Sequence, residues 1–173
     1  MTTKVNNNVG SHYTPLNDTD ENVERTCAEL RIYPGDMHPN AVTHLLGIQP
    51  TRTVAIGERI QVKRPDVTTI GKVNGWFLSS EEHVQSNDLR RHLDWLIAQL
   101  QSHHERLLKL QTNERVYMYI SCPWWSRYGG GGPSLWPTQM RGLAELNLEC
   151  KIDFADYSNE QTRHTNQTTE NEA

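Results

Sequence analysis

The sequence lacks the features of a membrane, secreted or nucleic-acid-binding protein. No apolar run approaches the roughly 18 residues of a membrane span, and residues 1–6 carry no apolar stretch of the kind that begins a signal peptide. We therefore expect a cytoplasmic protein that does not bind a membrane. The net charge is −4 and there is no basic block, whereas nucleic-acid binders usually cluster Lys and Arg. This charge counts against a nucleic acid as partner.

Cysteine is also scarce, with only Cys27, Cys122 and Cys150. The odd count and the absence of a CxxC spacing count against a disulfide framework and a zinc knuckle, and favour buried, reduced thiols. The 8 histidines form no HExxH motif, so surface histidines are the simpler interpretation. We expect no metal and no cofactor.

Apolar residues, at 35% of the chain, are concentrated away from its two ends. Residues 1–22 and 157–173 contain polar runs with almost nothing to bury, and we expect both to be disordered tails. Residues 23–156 then form a single domain, which is long enough to bury a core.

Alternating apolar and polar residues predict strands in four segments, residues 28–33, 76–79, 116–122 and 148–154. In the first of these, Ala28, Leu30 and Ile32 point to one side and Glu29, Arg31 and Tyr33 to the other. Such alternation is typical of a sheet with one buried and one solvated face. The helices should therefore lie on one face only.

Helical patterns occupy the intervals between the strands. Residues 39–46 form a helix with Pro39 at its start and Gly47 after its end. Residues 86–111 carry leucines at helical spacing and predict one long helix. A third helix should begin at Ser134 and continue through Leu146.

Two copies of a strand–helix unit, residues 28–48 and 116–154, indicate an internal duplication. The prediction is an α+β fold that is ferredoxin-like, with duplicated strand–helix units. Its sheet would be antiparallel or mixed, with the helices on one face.

Several short motifs occur in an order that resembles a known family. They are Gly35-Asp36-Met37-His38-Pro39, Leu46-Gly47-Ile48-Gln49-Pro50-Thr51, Gly57-Glu58, Gly75-Trp76 and Ile152-Asp153-Phe154. Over residues 27–157 the chain resembles a bacterial family of unknown function, DUF4279. The resemblance implies a small intracellular protein, some of whose relatives look like immunity or defence partners, and it supplies no catalytic residues.

The segment of residues 122–137 is rich in tryptophan and glycine. It contains Trp124, Trp125, Arg127, Tyr128 and Trp136, which belong to the residue types that anchor protein interfaces. Our hypothesis is that they form part of a protein-binding surface. The alternative is that the tryptophans close the end of the sheet as ordinary core and the glycines form an exposed turn.

The solvated face of the sheet is a second candidate surface. Arg31, Tyr33, Tyr117 and Tyr119 should stand side by side there if the first and third predicted strands are neighbours. RNA-recognition modules stack bases on aromatic rings placed in this way, but Glu29, Glu149 and Asp153 would repel a phosphate backbone. RNA binding therefore stays the weaker alternative.

As a further alternative, Asp36, His38 and the glycines of residues 122–137 could form a small-ligand site or the active site of an enzyme. A Gly-Asp pair before a helix is, however, what a turn selects, and no GxSxG elbow or Cys–His pair is present. We expect no enzymatic activity. The sequence predicts a non-catalytic module that binds another protein and leaves its oligomeric state open. The family resemblance adds an immunity-type role as the most specific form of this prediction.

Overall fold

The computed structural model describes residues 13–61 and 68–156. These residues form an α+β fold in which short strands and helices alternate along the chain. In chain order, the elements are β1 (Val23–Thr26), β2 (Glu29–Tyr33), α1 (Pro39–Leu46), β3 (Arg52–Val54), β4 (Arg59–Gln61), β5 (Thr68–Ile70), β6 (Gly75–Ser79), α2 (Leu89–Gln101), α3 (His104–Gln111), β7 (Tyr117–Ser126), α4 (Pro137–Glu145) and β8 (Cys150–Asp156).

The main sheet is built around the long strand β7. Thr26 of β1 lies opposite Trp124, and Glu29 of β2 lies opposite Ser121. These pairs share one register, so β1 and β2 act as a single interrupted strand along one edge of β7. On the other edge β8 pairs in parallel with β7. The order across the sheet is therefore β8, β7, β2, β6, β3, and the sheet curls into a half-barrel.

The core lies on one face of this sheet, as the alternation predicts. Leu30, Ile32 and Ile120 are fully buried on that face and belong to the main apolar cluster. All four helices in the described residues contribute to the same cluster, through Val42 and Leu46 of α1, Leu93 and Leu96 of α2, Leu107 and Leu110 of α3, and Leu143 of α4. The opposite face carries no helix among the described residues.

The α+β class and the mixed sheet are confirmed, but the ferredoxin-like duplication is not. In the first strand–helix unit, α1 leads to β3, which is separated from β2 by β6. In the second unit, α4 leads to β8, which pairs directly and in parallel with its own strand β7. The two units thus place their closing strands differently. Both have the same sequence pattern because that pattern records burial and not strand order.

The long helix predicted over residues 86–111 is two helices. The chain breaks at Ser102 and His103, where the backbone of His103 leaves the helical region. Helix α2 contacts α4 and α3 contacts α1, and His104 Nε2 hydrogen-bonds to the Glu145 carbonyl at 2.7 Å. The leucine spacing continues across the break because both helices bury their leucines against the same core.

Strand β7 extends further than the alternation indicates, through Trp124 and Trp125 to Ser126. The tryptophan- and glycine-rich segment of residues 122–137 therefore begins as a strand, which pairs with β1 on one side and with β8 on the other. Helix α4 begins at Pro137 and not at Ser134, with Trp136 as its N-cap. At the sheet edge, Ile152 and Phe154 of β8 are exposed although the alternation places them on the apolar side.

Residues 13–22, the described part of the first predicted tail, lie along the start of α2. Asn17 donates its backbone N–H to Asp88 at 2.9 Å, and the Arg90 guanidinium donates to the carbonyls of Thr14 and Pro15. Asp88 and Arg90 are both buried and pair at 2.5 Å. Because these contacts use backbone N–H and carbonyl groups of the segment, its polar composition gives no sign of them. Residues 1–12 and 157–173 lie outside the described residues.

No helix in the described ranges is both long and apolar enough to span a membrane.

The buried Asp88–Arg90 pair generates a stability prediction. Asp88 also caps α2 by accepting from the Arg90 backbone N–H at 3.1 Å. Asp88→Ala removes this cap and leaves a buried guanidinium without its carboxylate, so we expect the free energy of unfolding to fall by about 3–5 kcal/mol. Chemical denaturation measures this loss. Asp18→Ala, which removes the exposed carboxylate that pairs with Arg91 on the same helix, is the matched control and should change little.

His92 of α2 is a buried histidine that joins the helix to the strands. Its Nε2 lies 2.9 Å from the Ser86 carbonyl, so Nε2 carries the proton and donates it. Nδ1 then accepts from Ser80 Oγ at 2.8 Å, and that oxygen itself accepts from the Ala28 backbone N–H. Burial lowers the pKa of His92, so folding favours the neutral form of this imidazole.

The neutral His92 predicts a loss of stability in acid. The unfolded chain takes up a proton at this residue near pH 6.5, whereas the folded chain does not until a lower pH. Its contribution to folding is therefore complete above about pH 6.5 and decreases as the pH falls, at most by about 1.4 kcal/mol for each pH unit. Unfolding free energies of wild type and His92→Gln between pH 7.5 and about 5 should converge toward acid. Parallel curves would contradict the assignment.

Candidate interaction surface

The open face of the sheet carries a row of alternating cations and aromatic rings. Register places Arg52 of β3 opposite Phe77 of β6, Phe77 opposite Arg31 of β2, and Arg31 opposite Tyr119 of β7. Lys151 of β8 completes the row, with its Nζ 4.2 Å from the centre of the Tyr119 ring. We call these five residues the cross-sheet row. The period of two along each strand brings them to one face, and strand pairing aligns them.

Three tyrosines form a cluster beside the row. The ring centres of Tyr33 and Tyr119 are 6.3 Å apart, and those of Tyr33 and Tyr117 are 6.4 Å apart, in both cases with nearly parallel rings. The ring centres of Tyr33 and Phe77 are 5.9 Å apart, and the two rings are nearly perpendicular. Tyr117 is the most open member, with 49% of its surface exposed. Three sequence-predicted residues, Tyr33, Tyr117 and Tyr119, are thus brought together, and Arg31 lies among them as expected.

Hydrogen bonds and charge pairs fix these side chains in place. The Arg31 guanidinium donates to Glu29 at 2.6 Å, and Lys151 Nζ donates to the Tyr117 hydroxyl at 2.5 Å. Burial alone would lower the pKa of Arg31, but hydrogen bonds with Tyr119 and Glu29 raise it above its ordinary value. The hydrogen bond to Tyr117 raises the pKa of Lys151. Both cations are therefore firmly charged at neutral pH.

Three members of the row were missed by sequence reasoning. Phe77 lies in the predicted strand 76–79. This strand is too short for its alternation to show toward which face the Phe77 side chain points. The Arg52 guanidinium covers the Phe77 ring at 3.8 Å, a contact between strands that no local pattern reveals. The Phe77 side chain is buried on the solvated side, so Arg52 and Tyr33 shield it there. Lys151 alternates with Cys150 and Ile152 in the fourth predicted strand, but its position beside Tyr119 depends on the parallel pairing of β8.

The tryptophan–glycine segment divides between core and surface. Trp124 is only 6% exposed and belongs to the apolar core. Trp125 is half-buried beneath the Arg25 guanidinium, 4.5 Å from its ring centre. Trp136 donates its indole N–H to the Thr14 carbonyl at 3.1 Å and stacks under Arg90. These three rings therefore anchor the sheet end and residues 13–22.

The surface part of this segment is smaller than the candidate set. Arg127 pairs with Glu24 at 2.6 Å, and Tyr128 is 66% exposed. Gly129 and Gly131 adopt positive φ angles of 70° and 79°, which suit an exposed turn. Tyr128 is thus the freest of the five candidates, while the segment as a whole serves largely to close the fold.

The Asp36–His38 region forms a turn and a helix cap. The Met37 backbone N–H donates to the Pro34 carbonyl at 3.2 Å, and Gly35 has a positive φ. His38 caps α1 by accepting from the Asn40 N–H at its Nδ1. Asp36 instead pairs with Arg115 at 3.0 Å. The two side chains therefore engage different partners and do not form an acid–base pair.

Comparison with known proteins places the chain in a family. The family profile described as a domain of unknown function, DUF4279, matches residues 24–157. The chain belongs to the DUF4279 family. No curated protein and no solved structure matches it. The match spans β2 to β8 and so includes the entire cross-sheet row and the tryptophan–glycine segment.

The cysteines of this DUF4279 domain are free thiols. Burial raises the pKa of Cys27 to about 11. Cys122 and Cys150 lie on neighbouring strands with their sulfur atoms 3.7 Å apart. Their hydrogen bond, together with burial, raises the pKa of Cys122, and the same hydrogen bond lowers that of Cys150. Among the described residues, no group of three or more His, Cys, Asp or Glu is arranged to hold a metal ion.

The division of the tryptophan–glycine segment of the DUF4279 domain is testable by alanine substitution. We expect Trp124→Ala to lower the free energy of unfolding by about 3–5 kcal/mol, because it opens a cavity in the core. Tyr128→Ala, in the same segment, should leave stability nearly unchanged. Thermal and chemical denaturation measure both. An equal and small effect of the two substitutions would contradict the core position of Trp124.

Proposed function

We propose that this DUF4279 domain is a non-catalytic module that binds another protein through the cross-sheet row and the tyrosine cluster. The observation that carries the proposal is the alternation of cations and rings over β3, β6, β2, β7 and β8, on the face without helices.

The residue types on this face suit protein recognition. Tyrosine and arginine are enriched among the residues that contribute most to binding free energy. Tyrosine also offers a large contact area with few rotatable bonds, so little conformational entropy is lost on binding. Here the contacts of Lys151 with Tyr117 and Tyr119 and of Arg52 with Phe77 already restrict the side chains. The surface is therefore organised before a partner arrives.

The charges around the row support a protein over a polyanion. Arg31 pairs with Glu29, and Lys151 lies 3.6 Å from Glu149. At the β3 end, Arg52 shares a depression of about 170 Å³ with Glu81 and Glu82. A border of both signs complements a partner surface of both signs, whereas a phosphate backbone would meet repulsion at each of these carboxylates.

RNA binding is the second candidate, and one observation favours it. Aromatic rings on an open sheet face, flanked by cations, can stack unpaired bases. The carboxylates described above oppose it. A gel shift of single-stranded RNA at low salt that disappears in Tyr117→Ala would support this alternative, and the absence of any shift would remove it.

An immunity-type role is the most specific form of the protein-binding proposal. In this role the partner would be a toxin that the domain covers and inactivates. It is supported only by the resemblance of some relatives to immunity proteins. A toxin gene adjacent to the gene for this chain would strengthen it.

Substitution of one tyrosine on each of the two candidate surfaces shows which surface binds the partner. Tyr117 represents the open face of the sheet, and Tyr128 represents the tryptophan–glycine segment. The full chain is immobilised, partners are captured from a nuclease-treated lysate of the source cells, and the affinity of a purified partner is then measured. Tyr117→Ala should weaken binding by at least about tenfold, the loss typical of an interface anchor. Tyr128→Ala removes a still more exposed tyrosine from the glycine turn and should leave affinity unchanged.

The reverse result would contradict the proposal. If Tyr128→Ala abolishes binding and Tyr117→Ala does not, the glycine turn is the contact surface. Each variant must retain the wild-type melting temperature, so that lost binding reports contact and not unfolding. Because Tyr117 is half exposed at the sheet surface, its truncation leaves no core cavity.

A further inference from the structure

A cleft opens between α1 and α3, two of the helices that cover the buried face of the sheet. Its volume is about 340 Å³, and it is lined by Met37, Leu45, Arg106, Lys109, Leu110 and Asn113. Ligand-binding clefts for small molecules begin at about 300 Å³ and are mostly apolar with a few polar groups. This cleft has the size and the chemical division of such a site.

The apolar part of the cleft comes from side chains that the fold leaves open to it. Leu45 is 47% exposed on α1, although the neighbouring Leu46 is fully buried in the core. Met37 packs partly against the core, and Leu110 of α3 forms the opposite wall. An aliphatic group placed between these side chains would bury apolar surface on both itself and the protein.

The polar part of the cleft carries two positive charges, those of Arg106 and Lys109. Within residues 13–61 and 68–156, neither Arg106 nor Lys109 forms an ion pair with a carboxylate. Asp36, the acidic residue next to Met37, is engaged by Arg115 at 3.0 Å. Arg106 is held by one hydrogen bond from its Nη1 to the Leu46 carbonyl at the end of α1, at 3.3 Å. Its other guanidinium nitrogens remain available to an anion.

We propose that this cleft binds a small amphipathic anion, a carboxylate attached to a short aliphatic chain. The carboxylate meets Arg106 and Lys109, and Asn113 lines the same cleft as a further polar group. The chain lies against Met37, Leu45 and Leu110. Charge complementarity determines the sign of the ligand, and the volume limits its length. This site is independent of the proposed protein-binding face.

The test uses octanoate, octylammonium and 1-octanol as matched probes of the full chain. Binding is measured by calorimetry, and amide chemical shifts locate the site by NMR. Octanoate should bind saturably and shift the amides around Leu45 and Lys109. The cation should bind at least about tenfold more weakly, and the alcohol should lie between the two, because it lacks the charge-assisted hydrogen bonds.

Variants assign the binding to the cleft. Lys109→Gln should reduce octanoate affinity by about tenfold while leaving 1-octanol affinity unchanged. The Lys109 side chain makes no hydrogen bond to another described residue, so this change leaves the fold intact. Leu45→Asp, at an exposed position, should abolish binding of both probes. Arg141→Gln on α4 is the matched control and should bind octanoate like the wild type.

Three outcomes would overturn the proposal. Equal affinities for octanoate and octylammonium would show that charge is not recognised. Chemical shifts that cluster away from α1 and α3 would place the ligand elsewhere. The absence of saturation at millimolar octanoate would show that the cleft does not select this class of ligand.

Discussion

The structure depends on strands that bury every second residue against one layer of helices. A slip of one residue in the pairing of β2 with β7 would turn Leu30 and Ile32 outward and bring Arg31 into the core. The buried set on these strands therefore fixes the register, and the register fixes what the open face displays. Because Arg25 and Thr26 of β1 keep the register of β2 along β7, the same constraint extends along that strand as far as Trp125.

The cross-sheet row is a consequence of this constraint. Its members come from five strands that are distant in the chain, yet each stands opposite or beside the next at the sheet surface. Individual cation–ring contacts at exposed sites contribute only about 0.5–1 kcal/mol to stability. The row is thus a small part of what keeps the domain folded. The row instead contributes an ordered surface, on which the rings and charges are already oriented before binding. This order lowers the entropic cost of binding a partner.

The division of the sheet into a buried and a solvated face was predictable from the sequence, because burial produces a local alternation of apolar and polar residues. The alternation of residues 28–33 and 116–122 was sufficient to place Arg31, Tyr33, Tyr117 and Tyr119 on one surface. Strand order has no such signature, and this is why the expected duplication failed at β8. The contact of Arg52 with Phe77 was hidden for the same reason. Trp124 illustrates a further limit, since an aromatic residue in a glycine-rich context can serve either core or surface.

We propose that a protein partner covers the tyrosine cluster and the cross-sheet row. Site-specific photocrosslinking in cells that produce the protein tests it most directly, with a photoreactive amino acid in place of Tyr117 or, on the helix side, of the equally exposed Met140. We expect the photoreactive residue at position 117 to form a covalent adduct with one defined protein, and the residue at position 140 to form no adduct. An adduct formed only from position 140, or one formed from position 117 only with nucleic acid, would contradict it.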